Sequence, residues 1–195
     1  MKRIFDLLFS ILGLIIISPF LLLIATFIKL ESKGPVFYFQ TRVGKNNKDF
    51  KIYKFRTMYV GSDIKGLLTI GDKDPRVTRV GYFLRKYKLD EFPQLINVLI
   101  GNMSFVGPRP EVRKYVNYYS EDDLIIISIK PGITDYASIY FRDEAEILKS
   151  TNEPEKLYIE NILPEKIKLN KEYLKNIGLI SDIKIIFKTI NIIFK

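Results

Sequence analysis

Two adjacent acids, Asp90 and Glu91, stand directly before a phenylalanine and a proline in the stretch LDEFPQL. This order is typical of a helix start, where an aspartate caps the first turn and the proline replaces an amide that would have no partner. The same helix end carries positive potential, which favours an ionised carboxylate and attracts phosphate groups. The pattern therefore predicts either a helix cap or a carboxylate that reacts at a phosphate site, and on its own it leaves both interpretations open.

Basic residues surround this acidic pair. Arg85 and Lys88 come just before it, and Arg109 follows in a stiff turn between Pro108 and Pro110. Arginine is the usual side chain for two-pronged contacts to phosphate. Further candidates for contacts with an anionic substrate are Lys54, Arg56, Arg76 and Arg79. Because Mg²⁺ bridges carboxylate and phosphoryl oxygens, acids beside several cations predict a site for phosphate and Mg²⁺.

The composition narrows this chemistry. The chain has 195 residues, enough for one domain, and contains no histidine, cysteine or tryptophan. Disulfides and thiolate metal sites are excluded, and catalysis must use Asp, Glu, Lys, Arg, Tyr, Ser or Thr. A metal ion would lie among oxygens, which favours Mg²⁺, Ca²⁺ or Mn²⁺. The net charge of +9 indicates an anionic partner: nucleic acid, a phosphorylated small molecule or a membrane face.

The first element that must position these residues is an apolar segment, residues 4–28, in which Asp6 is the only charge. Its length would allow a single membrane span. However, Ser18-Pro19 lies well inside the run, and proline breaks or kinks a helix because it cannot donate to the carbonyl four residues back. Basic residues flank both ends, which favours both ends on the cytoplasmic side. We therefore predict a re-entrant helix broken at Ser18-Pro19, with Ser18 helping to satisfy the freed carbonyls, while a kinked span stays open.

The rest of the chain predicts a mostly helical α+β fold. Residues 35–58 predict a β-hairpin around Gly44-Lys45-Asn46-Asn47, and residues 61–74 predict a polar loop. Helices are predicted at 80–89, 92–100, 111–127, 143–149 and 153–177, the last with a break near Pro164. The predicted organisation is one membrane-associated domain over 1–195, with the re-entrant helix at 1–30, a cytoplasmic catalytic body at 31–176 and an amphipathic helix at 177–195.

The C-terminal helix has an apolar stripe opposite a cationic face. The stripe consists of Leu179, Ile180, Ile183, Ile186, Phe187, Ile190, Ile193 and Phe194. Such a helix is suited to lie in the headgroup plane of a membrane, and packing on its own domain is an equally open interpretation.

Several longer motifs occur in a defined order. They are Ser18-Pro19, KFRTM at 54–58, DPRVTRVG at 74–81, LRKYKLDEFPQLINVLIGNMSFVGPRPE at 84–111, and KPGIT at 130–134. Together they resemble the bacterial sugar transferase family, the monotopic phosphoglycosyl transferases. The resemblance covers about residues 2–142, and the central block is highly specific.

The resemblance implies an enzyme of the cytoplasmic face of the inner membrane. Its members move a sugar 1-phosphate from a UDP-sugar to a polyprenol phosphate, such as undecaprenyl phosphate, with release of UMP. Asp90 matches the nucleophile that forms a covalent phosphosugar intermediate, and Glu91 completes the dyad with a required Mg²⁺, so both are candidate metal ligands. Arg85 and Arg109 match arginines around the phosphates or the nucleotide, and Ser18-Pro19 matches the pair that breaks the membrane helix.

One segment departs from the family pattern. Many members follow KPGIT with glycine, an aromatic residue and an NGR-like segment, whereas Asp135, Tyr136 and Arg142 occur here. The sequence therefore predicts no particular sugar, and it leaves the polyprenol length and a homodimer open. Two alternatives have no transfer chemistry. A membrane-tethered nucleic-acid binder rests on the aromatic and basic residues of 37–56, and a third interpretation is a membrane scaffold.

Overall fold

The computed structural model describes residues 2–62, 68 and 74–193. Its helices are α1 Lys2–Glu31, α2 Arg79–Lys86, α3 Gln94–Ile100, α4 Arg113–Val116, α5 Tyr136–Tyr140, α6 Glu144–Lys149, α7 Pro154–Leu157, α8 Leu163–Lys175 and α9 Leu179–Ile193. Its strands are β1 Phe37–Val43, β2 Asp49–Phe55, β3 Ser104–Val106 and β4 Gly132–Thr134. Short 3₁₀ segments lie at Lys45–Asn47, Leu89–Glu91 and Glu121–Ser128, and a π-helical segment lies at Tyr158–Ile162. The prediction of a mostly helical chain with a small hairpin is confirmed.

The hairpin forms where the sequence predicts it. Strands β1 and β2 are antiparallel, with Val43 opposite Asp49 next to the turn. Asn46 and Asn47 have φ values of 55° and 60° in that turn. Asparagine tolerates this left-handed region better than most residues, so the two asparagines explain the tight connection.

Two sequence predictions differ from the structure in detail, and a third is largely untested. The helix predicted at 111–127 is a short α4 followed by the 3₁₀ segment Glu121–Ser128. The irregularity expected near Pro164 is the π-helical segment that precedes α8, and the proline lies in the first turn of α8, where its missing amide costs no bond. The polar loop predicted at 61–74 lies largely outside the described residues.

The apolar N-terminal segment is one continuous helix, α1, and the predicted interruption at Ser18-Pro19 is not present. Pro19 lies inside the helix and cannot donate a backbone hydrogen bond to the carbonyl of Ile15. The Ser18 hydroxyl donates to that carbonyl at 2.9 Å. The serine therefore supplies the hydrogen bond that the proline removes, as the sequence predicted, and this lets the helix continue. By length and composition α1 could cross a membrane.

The N-terminal part of α1 is attached to the body by buried polar contacts. Lys2 Nζ donates to Val106 O at 2.9 Å, to Tyr173 OH at 2.8 Å and to Asp182 Oδ2 at 2.6 Å. Asp6, the only charge in the apolar run, accepts hydrogen bonds from Ser104 Oγ at 3.0 Å and from the amide of residue 105 at 3.2 Å. The charge at position 6 therefore serves to dock the helix on β3.

The C-terminal part of α1 is attached to the same body. Ile28 packs in a buried cluster with Phe55 and Leu84. Glu31 accepts hydrogen bonds from the amides of Arg79 and Val80, so its carboxylate satisfies the first turn of α2. Both ends of a 30-residue helix, about 45 Å long, thus contact the body that carries the remaining elements.

Helix α9 packs on the body with one face and exposes another. Ile185 is fully buried in a cluster with Val106 and Tyr173. Ile180, Phe187 and Ile190 are exposed. Ile185 lies beside the predicted apolar stripe rather than in it, and of the stripe itself Ile186 packs against this cluster. The side chains of residues 193–195 lie outside the described part of the chain.

Candidate active site

The acidic pair lies in the tight connection between α2 and α3. Lys88 has a left-handed backbone with φ of 56°, and the 3₁₀ segment Leu89–Glu91 follows it. Helix α3 then starts at Gln94, with Pro93 in the cap position. Asp90 is therefore not the N-cap of α3, and the cap interpretation is wrong. The left-handed residue thus begins the tight turn that carries both acids. Both are buried, with Asp90 7% and Glu91 9% exposed.

The two acids have different surroundings. Glu91 accepts a hydrogen bond from Lys54 Nζ at 2.8 Å and is held by both Nη atoms of Arg109, with Nη1 at 3.1 Å from Oε2. Within the described residues, no hydrogen bond or ion pair reaches the carboxylate of Asp90. One acid of the pair is thus fixed by two cations, while its neighbour is buried beside them with no partner in the described part of the chain.

These surroundings move the two pKa values in opposite directions. Burial raises the pKa of Asp90, and the neighbouring Glu91 raises it further, against the opposing effect of Lys54 and Arg85. Burial alone would also raise the pKa of Glu91, but Arg109 and Lys54 outweigh it and hold that pKa well below its usual range. Glu91 is therefore the permanent anion, and Asp90 is the carboxylate whose charge responds to its surroundings.

Arg109 is positioned by a pair of short parallel strands. Ser104 lies opposite Gly132 and Val106 opposite Thr134, so β3 and β4 end at the same edge. A Cβ atom on Gly132 would lie only 2.1 Å from the backbone nitrogen of residue 107, so the strands can approach this closely only without a side chain there. Arg109 follows β3 and Asp135 follows β4, and the backbone amide of Arg109 donates to Asp135 Oδ2 at 2.9 Å.

Two further cations face the acids. Arg85 donates from Nε to Thr57 Oγ1 at 2.9 Å, and its charge, like that of Lys54, acts on Asp90. Arg42 was not among the site residues named from sequence. Its Nη1 donates to the carbonyl of Pro110 at 3.0 Å, and its charge acts on Glu91. The only signal for it in the sequence was its place among the basic residues of 37–56.

Other predicted substrate-binding residues are engaged elsewhere. Arg56 donates to the carbonyls of Ser32 and Lys33 and so closes the C-terminal end of α1. Arg76 forms a two-pronged ion pair with Asp74. The structure does not bring these two arginines into contact with the acidic pair.

Pro108 and Pro110 enter the site through their backbone. The carbonyl of Pro108 accepts from the amide of Gly132 at 3.1 Å, and the carbonyl of Pro110 accepts from Arg42. They therefore hold the loop that carries Arg109, and contact of either proline with substrate stays a prediction.

A large cavity opens beside the acids. Its volume is about 810 Å³, and its charged lining includes Asp90, Glu91, Lys54, Arg85 and Arg109. The same cavity has an apolar part, lined by Ile17 of α1, Leu95 of α3, Phe105, Ile133, and Ile186 and Ile190 of α9. The cavity thus joins a cationic, acid-containing end to residues of the two apolar helices.

The acidic pair fits a Mg²⁺ ion that takes some of its ligands from the protein and the others from a bound phosphate compound. No group of three or more acidic side chains that could hold a metal ion occurs in the described residues. Mg²⁺ commonly binds through one or two carboxylates together with phosphate oxygens and waters. The carboxylate of Asp90 has no hydrogen-bond partner in the described residues and Glu91 lies next to it, so the pair would supply the protein ligands of such a site, with phosphate oxygens and waters as the others.

The chain is similar to characterised bacterial proteins along most of its length. The model of the family described as "Bacterial sugar transferase" matches residues 1–195. The UDP-N-acetylgalactosamine-undecaprenyl-phosphate N-acetylgalactosaminephosphotransferase of Aeromonas hydrophila is 39% identical over 98% of this chain and 43% of its own length. The UDP-glucose:undecaprenyl-phosphate glucose-1-phosphate transferase of Escherichia coli is 39% identical over 97% of this chain and 39% of its own length.

A third relative is closer to this chain in length. The exopolysaccharide production protein PSS of Rhizobium leguminosarum bv. phaseoli is 36% identical over 97% of this chain and 93% of its own length. The chain therefore spans about two fifths of the first two relatives but nearly all of the third. The match of the family model over the whole chain, together with these relatives, shows that the chain belongs to the bacterial sugar transferase family.

Proposed function

We propose that this protein transfers a sugar 1-phosphate from a UDP-sugar to a polyprenol phosphate in the membrane and releases UMP. Undecaprenyl phosphate, named for the Aeromonas and Escherichia relatives, is the proposed acceptor. The observation that carries the proposal is the unequal pair of acids, in which Glu91 is held by Lys54 and Arg109 while Asp90 is buried with no hydrogen-bond partner in the described residues.

An acid with these surroundings is suited to nucleophilic catalysis. An unpaired carboxylate keeps its lone pairs for attack, and covalent catalysis by aspartate needs no histidine. In the proposed first step, an Asp90 oxygen bonds to the β-phosphorus of the UDP-sugar, and the bond from that phosphorus to the bridging oxygen breaks, so that UMP leaves. In the second step, an oxygen of the polyprenol phosphate attacks the same phosphorus, and the bond to Asp90 breaks. The products are polyprenyl diphosphate sugar and the free carboxylate.

The cations around the acidic pair can stabilise the negative charge of the phosphoryl groups in this reaction. Phosphoryl transfer depends mainly on positioning and on stabilising negative charge. Lys54, Arg85 and Arg109 line the cavity beside Asp90 and can face the diphosphate from several sides. Mg²⁺, held by Asp90 and Glu91 with phosphate oxygens, would supply further charge neutralisation. The fixed position of Glu91 keeps the arginine fork of Arg109 in place before substrate arrives.

The acceptor accounts for the apolar part of the cavity. A polyprenol phosphate must bring its charged end to Asp90 while its chain stays in an apolar environment. Ile17 of α1 and Ile190 of α9 line the cavity that contains Asp90. We place the polyprenol chain along these two helices.

We further propose that α1 does not cross the membrane and that both of its ends lie at the cytoplasmic face. Its first turn binds the body through Lys2 and Asp6, and its last turns bind the same body through Ile28 and Glu31. A helix that crossed the bilayer would separate these contacts by the membrane thickness, or would draw the charged body into the hydrocarbon. Many apolar side chains between the two ends are exposed and face a lipid phase in this arrangement, among them Ile15, Ile16, Phe20, Leu22 and Leu23.

The nucleic-acid alternative is not favoured. Two of the basic residues behind it, Lys54 and Arg56, are bound to Glu91 and to the end of α1. Phe37 and Phe55 stack on each other at 5.5 Å between ring centroids rather than standing apart for bases. Lys54, Arg56 and the stacked phenylalanines are therefore already engaged within the protein, which leaves a poor surface for stacking on single strands.

One experiment tests the proposal directly. The purified protein is incubated with Mg²⁺ and a panel of UDP-sugars, first without and then with undecaprenyl phosphate, and UMP is measured. Without acceptor we expect at most one UMP per protein and a mass increase of one sugar phosphate on the peptide that contains Asp90. With acceptor we expect continued UMP release. Continued release that never labels Asp90 would exclude the covalent intermediate.

A further inference from the structure

Two buried polar atoms in the cavity have no hydrogen-bond partner in the described residues. They are the hydroxyl oxygen of Ser138 and the side-chain carbonyl oxygen of Asn170. Both residues line the cavity that contains Asp90, and Asn170 is 5% exposed. A buried polar group without a partner destabilises the folded state, so two such groups on residues that line one cavity call for an explanation.

The position of Ser138 relative to Arg109 is defined by one carboxylate. Asp135 is completely buried, and its Oδ2 accepts from the amide of Arg109 at 2.9 Å, while its Oδ1 accepts from the amide of Ser138 at 2.6 Å. Ser138 therefore lies on the opposite side of a single carboxylate from the arginine that holds Glu91. This is the departure from the family pattern noted in the sequence, and here Asp135 acts as a brace between the two.

The cavity wall around Ser138 and Asn170 differs from the wall around Asp90. Tyr158 OH donates to Glu111 Oε1 at 2.6 Å, and Lys166 forms ion pairs with Glu144 at 2.5 Å and with Glu111 at 3.8 Å. Burial raises the pKa of Tyr158, which keeps its hydroxyl protonated. The lining of the cavity thus contains mixed donors and acceptors in addition to the cations beside the acidic pair.

The cationic lining and the mixed lining of the cavity suit two different parts of one substrate. A diphosphate requires the cationic part of the lining. A sugar ring is a neutral group with several hydroxyl or amide substituents, and these need matched donors and acceptors. We propose that Ser138 Oγ and Asn170 Oδ1 form a sugar-recognition subsite and hydrogen-bond to ring substituents of the UDP-sugar. Asn170 Oδ1 accepts from a hydroxyl or an amide N–H, and Ser138 Oγ donates or accepts. This inference rests on the proposed function and names the part of the cavity that selects the sugar.

The structure predicts a distinctive behaviour for variants of these residues. Removing a buried polar atom that has no protein partner costs the folded protein little, so Ser138→Ala and Asn170→Ala retain thermal stability. Both lose the contacts to the ring substituents, so UDP-sugar binding weakens by roughly 10- to 100-fold. Binding of UDP, which has no sugar, is unchanged. A residue with only a structural role would show the opposite result.

The test compares binding of UDP-sugars with binding of UDP by calorimetry, in the Asp90→Asn background so that no turnover occurs. Asn161→Ala, an exposed asparagine, is the matched control. We expect the preferred UDP-sugar to bind more tightly than UDP, and this difference to fall in Ser138→Ala and Asn170→Ala but not in the control. A sugar analogue that lacks the contacted substituent should bind the variants and the parent equally. An unchanged difference between UDP-sugar and UDP in both variants would overturn the subsite, and would indicate that an ordered water satisfies the two atoms.

A parallel measurement separates this inference from the proposed function. UMP release is followed with Asp90 intact, for the same variants and the same panel of sugars. If none of the UDP-sugars in the panel gives UMP release, the proposed function is contradicted. The binding comparison would still decide the subsite. Full release with an unaltered preference among sugars in both variants would overturn the subsite and leave the transfer reaction standing.

Discussion

The guanidinium group of Arg109 holds the carboxylate of Glu91 by a two-pronged ion pair across 18 positions of the chain. Glu91 in turn pairs with Lys54, so one anion lies between two cations and all three side chains are largely removed from water. Burial raises the pKa of both carboxylates, and the neighbouring cations lower it. Glu91 is held in place by its cations, whereas Asp90 beside it has no partner in the described residues.

Replacing Asp90 with asparagine should abolish transfer and stabilise the protein. Loss of the nucleophile should lower UMP release by about 10³-fold or more. The substitution also removes a buried carboxylate whose pKa is raised by burial, and we expect a gain of about 0.5–2 kcal/mol in the free energy of unfolding at neutral pH.

The stabilisation by Asp90→Asn should depend on pH. Because the folded state raises the pKa of Asp90, the parent protein loses stability as the pH rises through the folded-state pKa, and no such loss occurs below the ordinary aspartate pKa of about 3.9. The difference in thermal midpoint between variant and parent should therefore be large at pH 7 and small near pH 4. A difference independent of pH would contradict a raised pKa for Asp90.

Replacing Lys54 with methionine should move the acidic limb of the pH–rate profile. Lys54 lowers the pKa of Asp90 against the effect of burial, so its removal raises that pKa further. The nucleophile must be ionised, and the acidic limb of kcat/KM should shift to higher pH, with a fall of about 10- to 100-fold at the optimum. Lys51→Met, on the exposed side of the same strand, is the control and should leave the limb in place. An unmoved limb in Lys54→Met would show that this lysine does not set the charge of Asp90.

The hydrogen bond of Ser18 should matter only when residue 19 is proline. Ser18→Ala leaves the carbonyl of Ile15 without a donor, and we expect a loss of about 1 kcal/mol in lipid nanodiscs. In a Pro19→Ala background, the restored backbone amide serves that carbonyl, and Ser18→Ala should be nearly neutral. Thr26→Ala removes a similar hydroxyl contact, to the carbonyl of Leu22, where no proline intervenes, and should also be nearly neutral. Equal effects of Ser18→Ala in both backgrounds would contradict this account.

Both ends of α1 should be accessible from the cytoplasmic side. The chain has no cysteine, so a single cysteine placed ahead of Lys2, or substituted for the exposed Lys33, can be labelled selectively with a membrane-impermeant reagent. We expect both positions to react in inside-out vesicles and neither in right-side-out vesicles. Ile16→Cys, at an exposed apolar position of the helix, should react only after detergent is added. Reaction of the two ends from opposite sides would establish a membrane span.

Local patterns in the sequence were sufficient for the hairpin, for the long apolar helix and for the acidic pair as a candidate site. The hairpin was predictable because its asparagine-containing turn lies between strands that are adjacent in the chain. The long apolar run and the compensation of Pro19 by Ser18 depend on residues within one helical turn of each other. Where the sequence was misleading, as with Asp90 as a helix cap, two turn geometries compete within a few residues, and the left-handed Lys88 selected the 3₁₀ turn.

The sequence by itself therefore determined an apolar anchor, a basic body without histidine or cysteine, and an Asp-Glu pair ahead of a helix. Only the tertiary structure decided which cations serve that pair. Arg56 and Arg76 carry the same charge as Arg109, but packing directs Arg56 to the end of α1 and Arg76 to Asp74. Ion pairs between distant residues depend on how the elements pack, because the attraction between charges depends on their distance in space and not on their spacing in the sequence. Here the parallel pairing of two three-residue strands brings Arg109 and Asp135 to one edge of the site.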